Sequence, residues 1–465
     1  MNLCFIVWVA VKKGEYVHIK NIAKGASEEI VTGVTFPSSV LDISPRQKRY
    51  FVFIIMKRNF ITKFPSVMQG LVMAKGSTIQ LHFHHFSDPH TGARITRLTP
   101  PDVICHRNYF YQKSFTRDGS KLLFAAEFDG HRNYYLLDRQ KQTAVQLTHG
   151  RGDNTFGGFL SPDDRSLYYV KNERELRRVS LDDYSEHTIY TVPEEWVGYG
   201  TWVANSECTR LVGIEIARDD WTPLTDWQKF RTFYLRRPHC RLLQVDLHNG
   251  STRVIHEANE WLGHPLYRPY DDSTVAFCHE GPHDLVDARM WLVNEDGSNV
   301  RKVKTHAPEE SCTHEFWVPD GSALLYVSYL KGHSERYIRR FSPQTGEDSS
   351  LMTMPACSHL MSNADGTLLV GDGSGTPVDV QDTSGHVIEN DPFLYLFDTR
   401  TRRYAPLATH QSSWQVLDGD RQVTHPHPSF SPDDRDVLFT SDFEGLPALY
   451  LAQIPDTLVS SLGKE

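Results

Sequence analysis

Histidines cluster in one short stretch near the end of the chain, Gln422-Val-Thr-His425-Pro-His427-Pro. His425 and His427 are two residues apart, and on an extended chain this spacing places both side chains on one face. His359 lies in an earlier segment, Cys357-Ser-His-Leu-Met. Neutral imidazoles together with an amide or carboxylate oxygen suit Mn, Fe, Zn, Ni or Cu, with geometry and supply selecting among them. The three histidines therefore predict a metal site, if the fold brings them together.

Further polar residues occupy corresponding places in other segments, and these are His106 with Arg107, His264 and His314. No serine-hydrolase or phosphate-binding signature competes with them, because the sequence contains no Gly-x-Ser-x-Gly and no P-loop. The glycine-rich stretch at residues 371–375 lacks phosphate-loop spacing, and we interpret it as a flexible loop.

A repeated phrase indicates the elements that must position these residues. Phe430-Ser-Pro-Asp-Asp-Arg-Asp-Val-Leu-Phe439 has six related copies, the clearest of which begin at Phe115, Leu160 and Trp317. Each copy is typical of a short strand, a tight turn and a second apolar strand. Recurrence roughly every 40 to 70 residues is typical of propeller blades, which must stack around an axis to bury both faces. The sequence predicts an all-β, seven-bladed propeller, and an all-β sandwich with accidental similarity among its turns is the alternative.

The hairpin pattern also predicts how the ring closes. In the other units, a second hairpin follows the repeated phrase, but the last unit has no complete second hairpin of its own. A hairpin of this second type instead lies before the first copy of the phrase, at residues 79–83 and 92–98. We therefore expect the N-terminal part of the domain to complete the last blade, with the propeller spanning about residues 77–454. Blades begin with their innermost strand, so the residues just before each phrase should lie near the mouth of the central channel.

Two units carry long insertions, near residues 217–238 and 371–392. In repeat folds, insertions map to loops on one face, which is often the binding face. The first insertion combines aromatic and basic residues, which suit a sugar acid. The alternative is a loop that packs on its own aromatic side chains.

Charge and cysteine usage limit the classes of function. The net charge of −9 over 465 residues argues against general binding of nucleic acid, which needs a broad basic surface. The seven cysteines are odd in number and scattered, without a Cys-x-x-Cys motif. They indicate reduced thiols in a reducing compartment, so we expect a cytoplasmic protein.

Residues 1–72 lack the blade pattern. Their opening apolar run is too short to span a bilayer, and no Lys or Arg precedes it. We expect Met73 to be the functional start, residues 73–465 to form the propeller domain, and residues 1–72 to be an extension foreign to that fold. A short export or anchoring segment is the alternative.

From about Met73 onward, the chain resembles the oligogalacturonate lyases, a family of seven-bladed propeller polysaccharide lyases. The resemblance rests on long motifs in a fixed order, which are Cys105-His-Arg-Asn-Tyr-Phe, Trp221-Thr-Pro-Leu-Thr-Asp-Trp227, Cys278-His-Glu-Gly-Pro-His283, Thr313-His-Glu-Phe-Trp317, Ser358-His-Leu-Met361 and Gln422-Val-Thr-His-Pro-His-Pro428. It implies β-elimination on short oligogalacturonides, chiefly the unsaturated digalacturonate from pectin breakdown, to give 5-keto-4-deoxyuronate.

The resemblance also implies roles for particular residues. A Mn²⁺ ion would be held by three histidines and a glutamine, His359, His425, His427 and Gln422. His314 would be the Brønsted base and Arg289 an assisting cation. Weaker predictions of substrate contact or indirect support fall on four residues, His106, Arg107, His264 and His283.

Two other functions fit a propeller sequence. A non-catalytic binding propeller like that of the Tol envelope system has similar repeat phrases but needs no histidines at the channel mouth. The propeller of a prolyl-oligopeptidase-type enzyme would need a hydrolase domain as well. We expect an oligogalacturonide as the partner, with neither nucleic acid nor a membrane, and the oligomeric state stays open.

Overall fold

The computed structural model describes residues 74–151, 156–224, 227–282, 284–330, 335–373, 391–415, 417 and 422–464, and the backbone of two strands, Val7–Val11 and Val17–Asn21. The chain divides into two compact units, Met1–Gln69 and Gly70–Glu465. In the first unit, the two strands pair as an antiparallel sheet. Apart from these strands, residues 1–72 lie outside the described residues, so their proposed independence from the propeller stays a prediction.

The described part of the second unit forms seven antiparallel sheets, five with four strands and two with five. We number these blades 1 to 7 in chain order. Blade 2 contains Phe159–Leu160, Ser166–Lys171, Glu175–Ser180 and Glu186–Thr191, and blade 3 contains Trp196–Ala204, Arg210–Ala217, Cys240–Asp246 and Thr252–Ala258. Blade 4 contains Leu262–Arg268, Asp271–His279, Met290–Asn294 and Arg301–Lys302, and blade 5 contains Glu310–Trp317, Leu324–Leu330, Arg336–Phe341 and Asp348–Met354. Blade 6 contains Cys357–Ser362, Leu368–Gly373, Phe393–Asp398 and Arg403–Thr409. Blade 1 contains Cys105–His106, Lys121–Ala126, Asn133–Asp138, Thr143–Gln146 and Thr78–Gln80, and blade 7 contains Ser429–Phe430, Asp436–Ser441, Ala448–Gln453, Arg94–Arg97 and His84–Ser87. The seven-bladed propeller predicted from the repeats is confirmed.

The repeated phrase is the turn that joins the first two strands of a blade. In blade 2, the Ser161 hydroxyl donates to Asp163 at 2.5 Å, and the Ser161 N–H donates to the Ser166 carbonyl at 2.8 Å. Asp164 completes the turn with a φ of +61°, a left-handed conformation that aspartate tolerates better than most residues. The Ser-Pro-Asp-Asp pattern therefore recurs because the turn needs these side chains.

Apolar side chains fill the spaces between neighbouring blades. One core cluster of buried residues lies between each pair of consecutive blades in the described part of the ring, including the pair formed by blades 7 and 1. At the 7–1 boundary, Leu438 and Leu449 pack with Leu122 and Phe124. Each blade is thus buried on both faces, as stacking around an axis requires.

The N-terminal part of the domain closes the ring, as predicted, but with different strands from those expected. Arg94–Arg97 pairs with Ala448–Gln453 in blade 7, and His84–Ser87 pairs outside it. Thr78–Gln80 pairs instead with Thr143–Gln146 in blade 1. The prediction that residues 79–83 form a strand of blade 7 is therefore wrong. The N-terminal part of the domain instead contributes strands to both blade 1 and blade 7.

In the described part of the chain, two α-helices lie outside the blades, Trp227–Leu235 and Asp456–Leu462. The first belongs to the insertion at residues 217–238, and its Phe230 and Phe233 pack against Trp261. Phe233 also packs edge-on against Trp221 of the same insertion, at 5.9 Å, which favours the alternative of an insertion that packs on its own aromatic side chains. Among the described residues, no helix is both long enough and apolar enough to cross a membrane.

Candidate metal centre

Three consecutive aromatic residues cross the centre of the ring. Tyr109, Phe110 and Tyr111 follow the innermost strand of blade 1, yet the ring of Tyr109 lies 5.7 Å from that of His264 in blade 4. The ring of Phe110, which is 1% exposed, lies 5.5 Å from that of His359 in blade 6. One short segment can reach several distant blades only across the central channel. We call residues 109–111 the aromatic plug, and it forms one wall of the site.

The three predicted metal ligands converge against this wall. His359, His425 and His427 each offer one ring nitrogen, and these three atoms all lie within 4.8 Å of one another. The ring of His427 lies 4.3 Å from that of His359 and 5.0 Å from that of Tyr109. His359 and His427 are almost completely buried, and His425 is partly exposed. Residues that are far apart in the sequence therefore form one compact group.

The backbone around His425 and His427 is not the extended strand that the sequence predicted. Gln422–Thr424 is a turn of 3₁₀ helix, and the Gln422 carbonyl accepts a hydrogen bond from the His425 N–H at 3.2 Å. His427 has a φ of +47°, in the left-handed region. The convergence was predicted correctly, but the reasoning from strand alternation was wrong.

Bulges place the other histidines of the site. The pairing register shifts between Gly263 and Leu266, between Thr313 and Phe316, and between Cys357 and Leu360, always in the innermost strand. His264, His314 and His359 lie within these three bulges. His264 and His314 have φ values of +44° and +54°. Bulges re-aim side chains next to active sites, and such φ values cost of order 1–3 kcal/mol each.

Asp372 is a buried carboxylate that the sequence analysis did not identify. Its Oδ2 atom lies 2.8 Å from Nδ1 of His359, and its Oδ1 accepts the His359 N–H at 2.7 Å. The His427 N–H also donates to Oδ2, at 3.3 Å. The proposed flexible loop at residues 371–375 is thus wrong for Gly371–Gly373, which belong to the strand Leu368–Gly373; residues 374 and 375 lie outside the described residues.

The predicted base, His314, lies beside the three-histidine group. Its ring is 4.5 Å from that of His359 and 6.2 Å from that of Phe110. Its Nδ1 atom lies 3.2 Å from the hydroxyl of Thr313, and the residue is partly exposed. It is thus next to the candidate metal ligands without belonging to their group.

Arg289, the predicted assisting cation, is buried in a network of charged residues. Its Nε donates to Glu315 at 3.0 Å, and its Nη1 donates to Glu280 at 3.2 Å. His264 lies between the same two carboxylates, 3.2 Å from each. His264, Cys278 and Glu280 also form a group with metal-ligand spacing. However, Arg289 already pairs with Glu280, and burial raises the pKa of the Cys278 thiol well above its usual range, so the group is better described as an ion-pair network.

Glu315 belongs to this network, although strict strand alternation would place its side chain on the face opposite to His314. Burial opposes its ionisation, but Arg289 and His264 outweigh that effect and hold the pKa of Glu315 below its ordinary value. The same two partners lower the pKa of Glu280 against burial. Both side chains are therefore carboxylates at neutral pH. Because Glu315 follows His314 directly, its ion pair with Arg289 anchors the bulge that carries the candidate base.

The weaker predicted contacts have mixed placements. His106 is buried, stacks on Phe156 at 4.5 Å, and has its pKa lowered to about 3 by burial. Arg107 is fully buried and donates to Ser429 at 2.7 Å and to the His427 carbonyl, so it ties blade 1 to the final blade. His283 lies outside the described residues. Substrate contact by these residues stays a prediction.

Trp414 is a further aromatic side chain of the site that the sequence analysis missed. Its ring lies 4.3 Å from that of His425 and is nearly parallel to that of His359, at 5.7 Å. No motif marks it, because it lies outside the strands at a φ of +56°.

The donor set fits a divalent transition metal. Within the described residues, His427 has two buried ring nitrogens and neither has a hydrogen-bond partner. Burial, followed by the neighbouring imidazoles of His359 and His425, lowers the pKa of His427 well below its ordinary value. A buried neutral imidazole with no partner loses the hydrogen bonds it would make in water, and coordination of a cation would compensate for that loss.

Fold and site together define a seven-bladed β-propeller with a histidine-rich candidate metal centre at its axis. The family described as Oligogalacturonate lyase matches residues 73–458, and the chain belongs to this family of polysaccharide lyases. The oligogalacturonide lyase of Pectobacterium atrosepticum is 67% identical over 386 residues, which is 83% of this chain and 100% of the relative. The oligogalacturonate lyase of Dickeya dadantii is 65% identical over the same shares. The resemblance seen in the motifs is confirmed.

A solved structure agrees with this assignment. It is described as an oligogalacturonate lyase in complex with manganese, is 65% identical in sequence, and superposes with a TM-score of 0.79 over 83% of this chain and 100% of its own.

Proposed function

We propose that the propeller is a divalent-metal-dependent lyase that cleaves short oligogalacturonides by β-elimination. The observation that carries the proposal is the convergence of His359, His425 and His427 beside a fourth histidine, His314. The names of the close relatives support an oligogalacturonide as the substrate, and the manganese complex of one of them supports a divalent ion. Unsaturated digalacturonate as the substrate and 5-keto-4-deoxyuronate as the product are part of the proposal.

The reaction explains why a cation belongs beside a base. Elimination across C4 and C5 removes the C5 proton, which is only weakly acidic because the adjacent carboxylate already carries a negative charge. A divalent ion held by His359, His425, His427 and Gln422 would act as a Lewis acid toward that carboxylate.

His314 is the candidate that removes the C5 proton. It is a fourth imidazole that lies next to the three-histidine group without belonging to it. An imidazole has an unperturbed pKa of about 6.5, so it accepts a proton readily near neutral pH. The electron pair of the C5–H bond becomes the second bond between C4 and C5. The electron pair of the C4–O bond leaves with the oxygen of the departing sugar, which takes up a proton from water.

Arg289 assists this base in a different way from a direct clamp on the substrate. Its guanidinium already bonds two buried glutamates, so a bidentate contact with a uronate would require it to exchange Glu280. Through Glu315 it anchors the bulge that presents His314. We propose that positioning of His314 is its main contribution.

Metal removal joined to product analysis tests the proposed function. The protein is dialysed against a chelator, its metal content is measured, and it is incubated with unsaturated digalacturonate with and without added Mn²⁺. We expect turnover to disappear with the metal and to return with Mn²⁺, and mass spectrometry should identify 5-keto-4-deoxyuronate. Full turnover in a metal-free preparation contradicts the role of the ion. Binding of digalacturonate without any product would favour the non-catalytic binding propeller.

The cytoplasmic location inferred from the scattered cysteines is also a proposal. Fractionation of the source cells, with the protein detected by antibody, checks it.

A further inference from the structure

Asp372 contacts two of the candidate metal ligands at once. It is completely buried, and its two carboxylate oxygens face the main chain and the ring of His359 and the main chain of His427. His359 belongs to blade 6, whereas His427 precedes the innermost strand of blade 7. One side chain therefore bridges the boundary between the two blades that supply the histidines.

The ring contact determines the tautomer of His359. A carboxylate can only accept hydrogen bonds, so Nδ1 of His359 must be the donor in the 2.8 Å contact with Asp372. The other ring nitrogen, Nε2, then carries the lone pair. A metal ligand needs that arrangement, and a carboxylate behind the imidazole also makes it a stronger donor.

The contact with His427 supports a backbone conformation that is otherwise unfavourable. His427 has a φ of +47°, which is sparsely populated by non-glycine residues. Its N–H donates to the Asp372 oxygen that also faces the His359 ring. The carboxylate thus fixes the orientation of one ligand ring and the main chain of another.

The flanking glycines allow the carboxylate to lie there. A Cβ atom on Gly371 would lie 2.7 Å from the Leu360 side chain, and one on Gly373 would lie 2.2 Å from the Asp391 carbonyl. The Gly-Asp-Gly sequence, which lacks a phosphate-loop context, is explained by the close packing around Asp372.

We propose that Asp372 is a positioning residue for the metal centre, setting the tautomer of His359 and holding His427 in its ligand conformation. This inference rests on the proposed metal dependence and deepens it. Removal of such an outer carboxylate typically costs about 10- to 100-fold in metal affinity.

The test is metal binding by the whole chain in the absence of substrate. Asp372→Asn keeps the size of the side chain but removes its charge, and we expect its dissociation constant for Mn²⁺, measured by calorimetry or by the EPR signal of free Mn²⁺, to rise about 10- to 100-fold. Asp398→Asn is the matched control, because Asp398 is equally buried in blade 6 and accepts N–H groups from Arg400 and Thr401, away from the histidines. The control should bind Mn²⁺ as the wild type does.

Two results would overturn the inference. One is wild-type affinity in Asp372→Asn, and the other is an equal loss in Asp398→Asn, which would indicate general destabilisation. If Asp372→Asn does not fold, ¹⁵N NMR of the histidine rings in the wild-type chain decides the question, with the His359 signals assigned by His359→Gln. We expect hydrogen on Nδ1, and hydrogen on Nε2 would refute the proposal. A wild-type chain that binds no divalent ion refutes the metal dependence itself, which separates the two failures.

Discussion

Replacement of Phe110 with alanine tests whether the aromatic plug holds the ring and the site together. Phe110 is 1% exposed and packs with Phe316, Leu360 and other residues of blades 5 and 6. Loss of the buried ring removes about 2–3 kcal/mol of transfer free energy. If the surrounding strands cannot collapse, a cavity of roughly 100 Å³ adds about 2 kcal/mol at ~24 cal/mol per Å³. We expect the free energy of unfolding to fall by about 3–5 kcal/mol.

The assay is urea unfolding of the two variants Phe110→Ala and Phe110→Leu, followed by tryptophan fluorescence. The leucine variant keeps most of the volume and should lose less than about 1.5 kcal/mol. Because Phe110 also contacts the rings of His314 and His359, the alanine variant should bind Mn²⁺ more weakly while still folded. A loss below about 1 kcal/mol in Phe110→Ala would refute the packing of the plug across the channel.

Two further predictions concern single histidines. His314→Ala should lower kcat by about 10²- to 10⁴-fold, the usual contribution of a general base, while Mn²⁺ affinity stays near that of the wild type; normal turnover would place the base elsewhere. His106 has its pKa lowered to about 3 by burial, so the unfolded chain binds more protons than the folded one between about pH 6.5 and pH 3. Its contribution to stability is therefore complete above pH 6.5 and is lost as the pH falls, and His106→Gln should make the decline in urea midpoint over this range shallower. An unchanged slope would show that His106 is accessible to protons in the folded state.

Much of the fold was predictable because the turn chemistry of each blade repeats. The Ser-Pro-Asp-Asp turn requires specific side chains, so its copies remain recognisable, and their number gives the number of blades. The closure by an N-terminal strand followed from the hairpin missing in the last unit. The strand His84–Ser87 of blade 7 was not predictable, because residues 79–83 alternate apolar and polar side chains more regularly and only the closed ring determines which segment pairs there.

The candidate site was predictable only where residue type was sufficient. The chemistry of histidine marked three candidate ligands, which the fold brings together. Asp372, Glu280 and Glu315 were missed because aspartate and glutamate are common throughout the chain. Strict alternation along the strand would place Glu315 on the face opposite to His314, and the bulge between Thr313 and Phe316 breaks that alternation. Bulges depend on packing between blades, so no periodic pattern in one strand reports them.

The metal centre and the closure of the ring depend on the same contacts. Arg107, from blade 1, bonds the carbonyl of His427, and Asp372, from blade 6, bonds its N–H. Opening of the boundary on either side of blade 7 would therefore break a hydrogen bond to the main chain of His427. A ligand that binds only the folded state stabilises it by an amount that grows with the logarithm of its concentration relative to the dissociation constant, so a metal ion held here should favour the closed ring. The backbone strain at His427 lies at this boundary, whereas the strain at His264 and His314 lies in blades 4 and 5, so a bound ion would offset only the part at His427.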